Sequence, residues 1–352
     1  MPTRPPIPTI RTVASRVGVS VATVSRTLKN PDKVRPDTRD AVLRAVADLG
    51  FVPNAQARNF RRQASDTVIL LVRDIGNPFY LDVYKGVEEA ASAAGYKVLM
   101  GDARRDPARV ALHVDMVRAR HADGLILMTG SLPPSLPGDF LPPIVAALEY
   151  PAAGPLPLVR IDNAAAAETA VSYLVGLGHR RIAHVSGPIP EVMSAARADG
   201  WRRALEAAGE AVDPALMVWG DFSLDAGRRA VDHLLDAGVR FTALFAANDE
   251  MAAGALNALR ARGLRVPEDV SVVGFDDTVF ATAVDPPLTT IRQPKREIGA
   301  AAMRLMVQRL AEGPRFRAEV VVPTELVIRR SASPPGQPAR EAERPAAALA
   351  TP

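Results

Sequence analysis

The sequence contains no cysteine, which excludes disulfide bonds and thiolate metal sites. It also has no uninterrupted apolar run of about 18 residues, the length that a membrane-spanning helix needs. The first ten residues, MPTRPPIPTI, set isolated apolar side chains among four prolines, a pattern unlike a secretory signal. These absences lead us to expect a cytoplasmic protein that contacts no membrane.

The sequence motifs of common enzyme classes are missing as well. No GxGxxG follows an apolar strand, and neither the phosphate-binding GxxxxGK followed by Ser or Thr nor the nucleophile motif GxSxG occurs. The five histidines show no metal-ligand spacing such as HExxH. We therefore predict that the protein is not an enzyme and holds no cofactor or metal ion.

Charge is distributed unevenly along the chain. Of the 352 residues, the first 66 hold twelve Lys and Arg against five Asp, a net charge of +7. The whole chain carries +4, so the remainder carries −3. A compact basic module on a larger, mildly acidic body is typical of a protein that binds a polyanion such as DNA.

The basic module is patterned to fold into helices. Apolar residues recur at helical spacing from Ile10 to Val17, between an N-cap at Thr9 and a stop at Gly18. Ser20 is expected to cap a second helix. The inward residues of that helix are predicted to be Val24 and Leu28, supported by Val21 or Thr27. A third helix is predicted over residues 36–49, with inward residues Val42, Leu43, Val46 and Leu49.

Two helices joined by a three-residue turn with glycine, and braced by a third, form a helix-turn-helix. The second helix of this motif enters the DNA major groove, which explains why its outer residues are small. Arg26 can donate two hydrogen bonds to guanine, and Val21 and Ala22 can contact a thymine methyl group. The alternative is a helical hairpin with a structural role alone, which the charge asymmetry disfavours.

The segment FVPNAQARNFRRQAS, residues 51–65, follows the third helix and is too short and polar to be a stable helix alone. It sets Phe60 among Arg58, Arg61 and Arg62. An apolar side chain flanked by arginines is typical of a wedge that enters the minor groove and kinks the duplex. Two interpretations stay open: a flexible linker, or a hinge that becomes ordered on DNA.

After the hinge, short apolar strands alternate with helices, a pattern that predicts parallel α/β sheets covered on both faces. Eight units are too many for one small domain, so we predict two lobes, with the chain crossing between them around residues 155–163. The predicted strands are TVILLV (67–72), KVLMGD (97–102), DGLILM (123–128), IVAALE (144–149), RIAHVSG (181–187), ALMVWGD (215–221), TALFAAND (242–249) and VSVVGFDD (270–277).

Polar and aromatic residues follow these strands, and ligands of such sheets bind beyond the carboxyl ends of the strands. The first half contributes Asp74, Asn77, Phe79, Tyr80, Asp102 and Glu149, and the second half Asp162, Arg197, Asp221, Phe222, Asn248, Asp249, Asp276 and Asp277. Carboxylates and an arginine around aromatic rings suit a polyhydroxylated ring. A single acid at such a position is more often a loop cap, but the group as a whole favours a ligand cleft.

The segments VASRVGVSVATVSRTLKNPDKV and TRDAVLRAVADLGFVPNAQAR resemble the headpiece and hinge of lactose-repressor (LacI) family transcription regulators. The segments GLGHRRIAHVSGP, AANDEMAAGALNALRARGLRVPEDVSVVGFDD and DPPLTTIRQPKREIG resemble the periplasmic-binding-protein type I lobes of the same family. The resemblance covers about residues 9–331 and is strongest to cytidine-type nucleoside repressors. One departure is Phe60, where family members often carry leucine.

The resemblance implies a repressor that binds a palindromic operator in double-stranded DNA as a homodimer. The DNA-binding residues are then expected to be Ser20, Val21, Ala22, Thr23, Ser25, Arg26, Asn30, Thr38, Asn54, Ala57, Phe60 and Arg61. It also implies an effector between the lobes, a nucleoside by preference and a sugar next. Arg197 and Asp276 would clamp its hydroxyls with Asn248 beside them, Phe79 and Phe222 would cover its ring, and Glu149 would contact it. The full expected set is Asn77, Phe79, Asp102, Glu149, Arg197, Phe222, Asn248 and Asp276.

The predicted architecture is therefore a small all-α helix-turn-helix headpiece (1–51), a hinge helix (52–65) and an α/β two-lobed periplasmic-binding-protein type I effector and dimerisation domain (66–331). The tail, 332–352, is rich in Pro and Ala, so we expect it to be disordered. It lacks leucine heptads, which favours a dimer over a tetramer. A cytoplasmic, nucleoid-associated repressor is the favoured interpretation. The alternative is a free-standing solute-binding receptor with no role on DNA.

Overall fold

The computed structural model of the protein describes residues 8–52, 64–130, 132, 141–148, 156–189 and 191–336. The chain divides into two compact units, Met1–Ser65 and Asp66–Pro352, which we call the headpiece and the body. Within the described ranges, no helix combines the length and the hydropathy that crossing a bilayer requires.

The headpiece contains helices α1 (Ile10–Val17), α2 (Val21–Lys29) and α3 (Pro36–Asp48). Both predicted N-caps are confirmed, because the Oγ1 of Thr9 accepts a hydrogen bond from the amide of Thr12, and the Oγ of Ser20 accepts one from the amide of Thr23. Gly18 ends α1 with a left-handed φ of 72°, a conformation that glycine adopts without steric penalty. The three-residue turn between α1 and α2 is therefore fixed at both ends.

The core of the headpiece is small and apolar. Its buried residues are Val13, Ala14, Val24, Val42, Ala45 and Phe51. The sequence left open whether Val21 or Thr27 supports the inward face of α2. Thr27 does, since it is 1% exposed, whereas Val21 is 41% exposed. The prediction that Leu43 points inward is wrong, since Leu43 is 44% exposed and Ala45 is buried instead. Positions 42, 45, 46 and 49 lie on one helical face, and residue 43 lies about 100° around the helix from 42.

The body consists of two six-stranded sheets with helices on their faces. The first lobe orders its strands β11-β5-β4-β3-β1-β2, and every pairing in it is parallel. Its strands are β1 (Thr67–Val72), β2 (Lys97–Asp102), β3 (Gly124–Leu127), β4 (Ile144–Ala147), β5 (Leu158–Arg160) and β11 (Glu319–Val321). Its helices are α4 (Phe79–Ala93), α5 (Pro107–Arg118) and α11 (Lys295–Glu312).

The second lobe orders its strands β12-β10-β9-β8-β6-β7, with β12 antiparallel to β10 and the other pairs parallel. Its strands are β6 (Ile182–Ser186), β7 (Met217–Trp219), β8 (Ala243–Ala246), β9 (Ser271–Asp276), β10 (Thr289–Arg292) and β12 (Glu325–Val327). Its helices are α6 (Asn163–Gly176), α7 (Val192–Ala207), α8 (Leu224–Asp236), α9 (Asp249–Ala261) and α10 (Val279–Ala283).

The chain passes between the lobes three times: after β5, after β10 and after β11. The predicted crossing around 155–163 is therefore only partly right, because β5 still belongs to the first sheet and the chain crosses after it. Strands β5, β10, β11 and β12 are absent from the sequence-based prediction. Each has only three or four residues, and none is a continuous apolar run like the eight that were identified.

The second lobe extends beyond the predicted domain limit at residue 331. The imidazole of His179, buried after α6, lies 2.9 Å from the carbonyl oxygen of Ser333 and 3.1 Å from the Oγ of Ser271. The amide of Ser333 also donates to the Oγ of Ser271. The disordered tail was thus predicted to begin too early, because residues 332 and 333 are still packed; residues 337–352 lie outside the described residues.

Candidate functional site

Helix α2 presents a small, acid-free surface. Five of the residues predicted to meet DNA are exposed: Ser20, Val21, Ala22, Arg26 and Asn30. Three more, Thr23, Ser25 and Thr38, are half-buried. The remaining four, Asn54, Ala57, Phe60 and Arg61, lie outside the described residues. Of the predicted residues that the structure describes, Val21, Ala22 and Arg26 lie on the exposed side of α2, and Ser20 and Asn30 flank its two ends.

The side chains on and before α2 differ in whether the protein itself already engages them. The Oγ of Ser20 is already engaged by the amide and hydroxyl of Thr23, so Ser20 holds the helix end. Arg26 pairs with no carboxylate among the described residues. The helix has no acid in its first turn, and its N-terminal amides add a positive potential that attracts phosphate.

A cleft of about 730 Å³ lies between the two lobes of the body, at the carboxyl ends of both sheets. The structure brings seven of the eight predicted effector residues to its walls: Asn77, Phe79, Asp102, Arg197, Phe222, Asn248 and Asp276. The eighth, Glu149, lies outside the described residues. Among the other strand-end residues, Asp74, Tyr80 and Asp221 also line the cleft.

Arg197 on α7 is the most tightly held group of the cleft. It is 2% exposed, its Nε donates to the Oδ1 of Asn163 at 2.9 Å, and its Nη1 donates to the carbonyl oxygen of Ala247. Its guanidinium lies 3.7 Å from the ring centroid of Phe275 and its Nη1 3.9 Å from the Oδ1 of Asp276. The cation is thus fixed in place before any ligand arrives.

Asp276 ends β9 with a φ of 107°, a strained value for a residue with a side chain. Its Oδ1 accepts from the Nε2 of Gln293 at 2.6 Å, and the Nζ of Lys295 donates to its carbonyl oxygen at 2.6 Å. Burial raises the pKa of this carboxyl, and the nearby Arg197 and Lys295 oppose that rise. Asp276 and Arg197 together offer an acceptor and a donor 3.9 Å apart, too far to hydrogen-bond each other directly.

Gln293 is a cleft residue that the sequence reasoning missed. It is 2% exposed and lines the cleft, and its Oε1 is buried without a hydrogen-bond partner among the described atoms. A buried acceptor of this kind is stabilised by a ligand donor. In the sequence TTIRQP, Gln293 directly follows β10 and so occupies a strand end like the other cleft residues. That position can be recognised only when β10 is known to be a strand.

The aromatic and amide residues of the cleft support one another. Phe222 adopts a left-handed φ of 69°, and its carbonyl oxygen accepts from the Nδ2 of Asn248 at 2.9 Å. The Oδ1 of Asn248 caps α9 through the amide of Met251. Both polar atoms of Asn248 are thus engaged within the protein, and its direct contribution is to position Phe222.

The first-lobe polar residues of the predicted set are also engaged with their own loops. The Oδ1 of Asn77 accepts from the amide of Phe79 at 2.9 Å, and the carboxylate of Asp102 pairs with the Nε of Arg104 at 3.0 Å. Phe79 packs edge-on against Tyr80 with 5.4 Å between ring centroids. These contacts shape the first-lobe wall of the cleft.

Three strand-end acids do not line the cleft. Asp162 caps α6, and Asp277 pairs with Arg292 and Arg329. Asp249 lies under the cleft floor, where it accepts from the hydroxyl of Thr290. Burial, and then the neighbouring charge of Asp276, raise the pKa of Asp249 to about 7. For these three the loop-cap or structural interpretation holds.

Two family models match the chain. One, described as bacterial regulatory proteins of the lacI family, matches residues 9–54, and the other, described as a periplasmic binding protein-like domain, matches residues 171–332. The HTH-type transcriptional repressor CytR of Escherichia coli (strain K12) is 39% identical over 92% of this chain and 96% of its own length.

Two solved structures show the same architecture. The transcriptional regulator CelR in complex with cellobiose is 35% identical, with a TM-score of 0.70 over 92% of this chain and 100% of that chain. The Lac repressor dimer bound to operator and the anti-inducer ONPF is 27% identical, with a TM-score of 0.80 over 93% of this chain and 100% of that chain. The predicted combination of a helix-turn-helix headpiece and a two-lobed body is confirmed.

Proposed function

The chain belongs to the lacI family of bacterial regulatory proteins, and from that premise we propose that it is a transcriptional repressor whose operator affinity is controlled by a polyhydroxylated effector bound in the interlobe cleft. The observation that carries the proposal is the fixed pair of Arg197 and Asp276 at the cleft floor, in a chain that also presents an exposed α2. As such a repressor it acts in the cytoplasm, on the nucleoid.

The chemistry of the cleft favours an uncharged effector. Among the described residues, its walls carry four arginines (Arg73, Arg104, Arg105 and Arg197) and five carboxylates (Asp74, Asp102, Asp221, Glu250 and Asp276), so these walls show no surplus of positive charge for a phosphate. Hydroxyls can both donate to Asp276 and accept from Arg197, and Phe79 and Phe222 suit a flat ring face. A nucleoside fits this combination.

The choice of a nucleoside also follows the resemblance to cytidine-type repressors and the similarity to CytR. A sugar is the second candidate, because the similar CelR structure holds cellobiose. A panel of nucleosides and sugars, read as shifts in melting temperature, tests both. Ligand at about 100 times its Kd adds roughly 2.7 kcal/mol to stability.

The functional unit that we propose is a homodimer, as in the similar Lac repressor structure. Support comes from the outer edge of the first lobe, where the edge strand β2 exposes Leu99 and the helices on the two sides of the sheet expose Leu81 and Leu112, each more than half accessible. A two-fold dimer reads a palindromic operator, with half-sites about one helical turn or a multiple of it apart.

The DNA-binding half of the proposal is tested by Arg26→Ala. A lost pair of hydrogen bonds to guanine is expected to weaken operator binding by roughly 1–3 kcal/mol and to relax base preference at one symmetric position. Lys29 is an exposed lysine in the last turn of α2, and we expect it to contact phosphate alone. Lys29→Ala is therefore the matched control, which should weaken binding to all sequences about equally. Uniform weakening by Arg26→Ala, with base preference intact, would assign Arg26 to the phosphate backbone instead.

A further inference from the structure

A buried ammonium group reaches from the first lobe into the second. Lys295 is the first residue of α11, a helix of the first lobe, and is 9% exposed. Its Nζ donates to the carbonyl oxygen of Asp276 at 2.6 Å and to that of Asp277 at 2.9 Å. Burial of an ammonium group is costly unless the group is hydrogen-bonded. The two carbonyl oxygens of the second lobe supply those bonds.

These carbonyl oxygens belong to a strained turn. Asp276 and Asp277 have φ values of 107° and 53°, and positive values are uncommon for residues with side chains. Such conformations persist where the surrounding structure holds them. Just beyond the turn, the Oδ2 of Asp249 accepts from the amide of Thr278 at 2.7 Å and from its hydroxyl at 3.2 Å. The turn that carries the Asp276 carboxylate is thus held by Lys295 from one side and by Asp249 from the other.

The support of Lys295 is itself firmly packed. Helix α11 crosses α4 at two glycines, and a Cβ atom on either would overlap the backbone of the other helix. On Gly86 it would meet the carbonyl oxygen of Arg296, and on Gly299 it would meet that of Val83. The first turns of α11 therefore lie with their backbone directly against α4, and Lys295 extends from a fixed point of the first lobe.

Lys295 stands behind the cleft and does not line it. The residues next to its ammonium group do line it. One is Asp276, and the other is Phe79, whose ring centroid lies 6.0 Å from the Nζ. A molecule in the cleft therefore meets Asp276 and Phe79, and is affected by Lys295 only through them.

We propose that Lys295 is a positioning residue for effector recognition, which sets the direction of the Asp276 carboxylate by holding the backbone of the 276–277 turn. The inference rests on the proposed function, because it concerns how the same cleft recognises hydroxyl groups. An acceptor that is already in place does not have to be ordered when a ligand binds, so the hold on the turn raises effector affinity.

Hydrogen exchange in the ligand-free full-length chain tests the hold on the turn. Lys295→Met keeps the apolar stem of the side chain and removes the ammonium group. Exchange of the Thr278 amide, read in a peptide that spans residues 276–288, is expected to become at least about tenfold faster, as for loss of one hydrogen bond to a charged group. Peptides from β6 and β8 should exchange as in the parent, which shows that the second lobe remains folded.

Arg292→Met is the matched control for the exchange measurement. Arg292 donates to the carboxylate of Asp277 in the same turn, and Arg329 donates to that carboxylate as well. Its loss removes a cation near the turn and leaves the backbone contact of Lys295 in place. Exchange in the 276–288 peptide should therefore stay close to that of the parent.

Calorimetric titration with cytidine, and in parallel with cellobiose, tests the consequence for affinity. Lys295→Met and Asp276→Asn are each expected to weaken binding of the ligand that the parent accepts by at least about tenfold. If Lys295 acts through Asp276, the double variant should bind within about twofold of Asp276→Asn alone. A general structural effect of Lys295 would instead make the two losses multiply.

Three results would overturn the proposal: parent-like exchange in Lys295→Met, equally fast exchange in Arg292→Met, or multiplied losses of affinity in the double variant. Lys295→Gln, which is neutral and keeps a polar end, takes the place of Lys295→Met in both measurements if the latter does not fold. A parent that binds neither cytidine nor cellobiose would count against the proposed choice of effector, and hydrogen exchange would still decide whether Lys295 holds the turn.

Discussion

The two lobes contribute unlike halves to one cleft. In the second lobe, Arg197, Asn248, Asp276 and Gln293 are each between 2 and 7% exposed. No cleft-lining residue of the described second lobe is fully exposed. In the first lobe, by contrast, Asp74, Arg104 and Arg105 stand in solvent, and Arg73, at 5% exposed, is the one buried exception among its described charged cleft residues. The difference lies in how firmly each polar group is held before ligand binds.

This contrast indicates a division of labour between recognition and enclosure. A buried group with fixed partners loses little freedom on binding and acts through a low local dielectric, so it contributes most to specificity. An exposed group is screened by water and loses side-chain freedom when it closes on a ligand. We therefore infer that the second lobe selects the effector and the first lobe encloses it.

The variant expected to have the largest effect is Arg197→Met, in the second lobe. The change leaves Asp276 buried without its nearest cation, so we expect the free energy of unfolding to fall by about 3 kcal/mol or more and the effector response to be lost. Denaturant titration measures the first effect, and operator titration with and without effector the second. In the first lobe, Arg104→Met should lower stability by less than about 1 kcal/mol. Equal losses in the two variants would contradict the division between lobes.

A second test uses two buried titratable groups of the second lobe. Asp249 has its pKa raised to about 7, so stability falls as pH rises from about 4 to 7, where the folded state holds a proton that the unfolded state has lost. Burial lowers the pKa of His184 to about 4, so stability rises with pH between about 4 and 6.5, where the unfolded state holds the extra proton. The two trends oppose each other.

In the variant Asp249→Asn the opposing effect of Asp249 is removed, so the effect of His184 on the pH dependence of stability should become visible. In this variant the free energy of unfolding should rise with pH between about 4 and 6.5, by at most about 1.4 kcal/mol per pH unit for one proton. In the parent the same window should be flatter. Urea titrations at half-unit pH intervals supply the measurement, and an identical pH profile in parent and variant would show that Asp249 is ionised across the range.

The smallest expected effect belongs to the first lobe. Asp102 is half-buried and already paired with Arg104, so Asp102→Asn should change effector affinity by less than about tenfold and stability by less than about 1 kcal/mol. Calorimetric titration with the effector found in the panel checks this expectation. A loss as large as that of Arg197→Met would place part of the selection in the first lobe.

Much of this cleft could be anticipated from sequence because its residues follow strands that are continuous apolar runs. Phe222 and Asn248 come shortly after β7 and β8, Asp276 is the last residue of β9, and Arg197 lies on the helix that follows β6. Gln293 was not predicted, because β10 has two threonines among its four residues and lacks the apolar pattern of a buried strand. This segment becomes a strand because it pairs with β9 and β12, which are contacts that the local sequence does not reveal.

Some roles could not be read from residue type at all. Asp249 and Asp276 both end or follow apolar strands, yet the hydroxyls of Thr278 and Thr290 hold Asp249 beneath the floor. On α3, Leu43 is larger and more apolar than Ala45, yet its position around the helix axis places Leu43 in solvent and Ala45 in the core. In both cases the decisive information is three-dimensional packing, which local propensity does not contain.

The three crossings of the chain have a consequence for how the protein is made. The headpiece is contiguous and complete by Phe51, whereas the first lobe still lacks α11 and β11 until Val321 has been synthesised. About 270 residues separate these points, which take roughly 15–50 s at the usual rate of roughly 5–20 residues per second. On the ribosome the DNA-reading part is therefore expected to fold first, and both lobes of the body to be completed only after β11 and β12 have been synthesised.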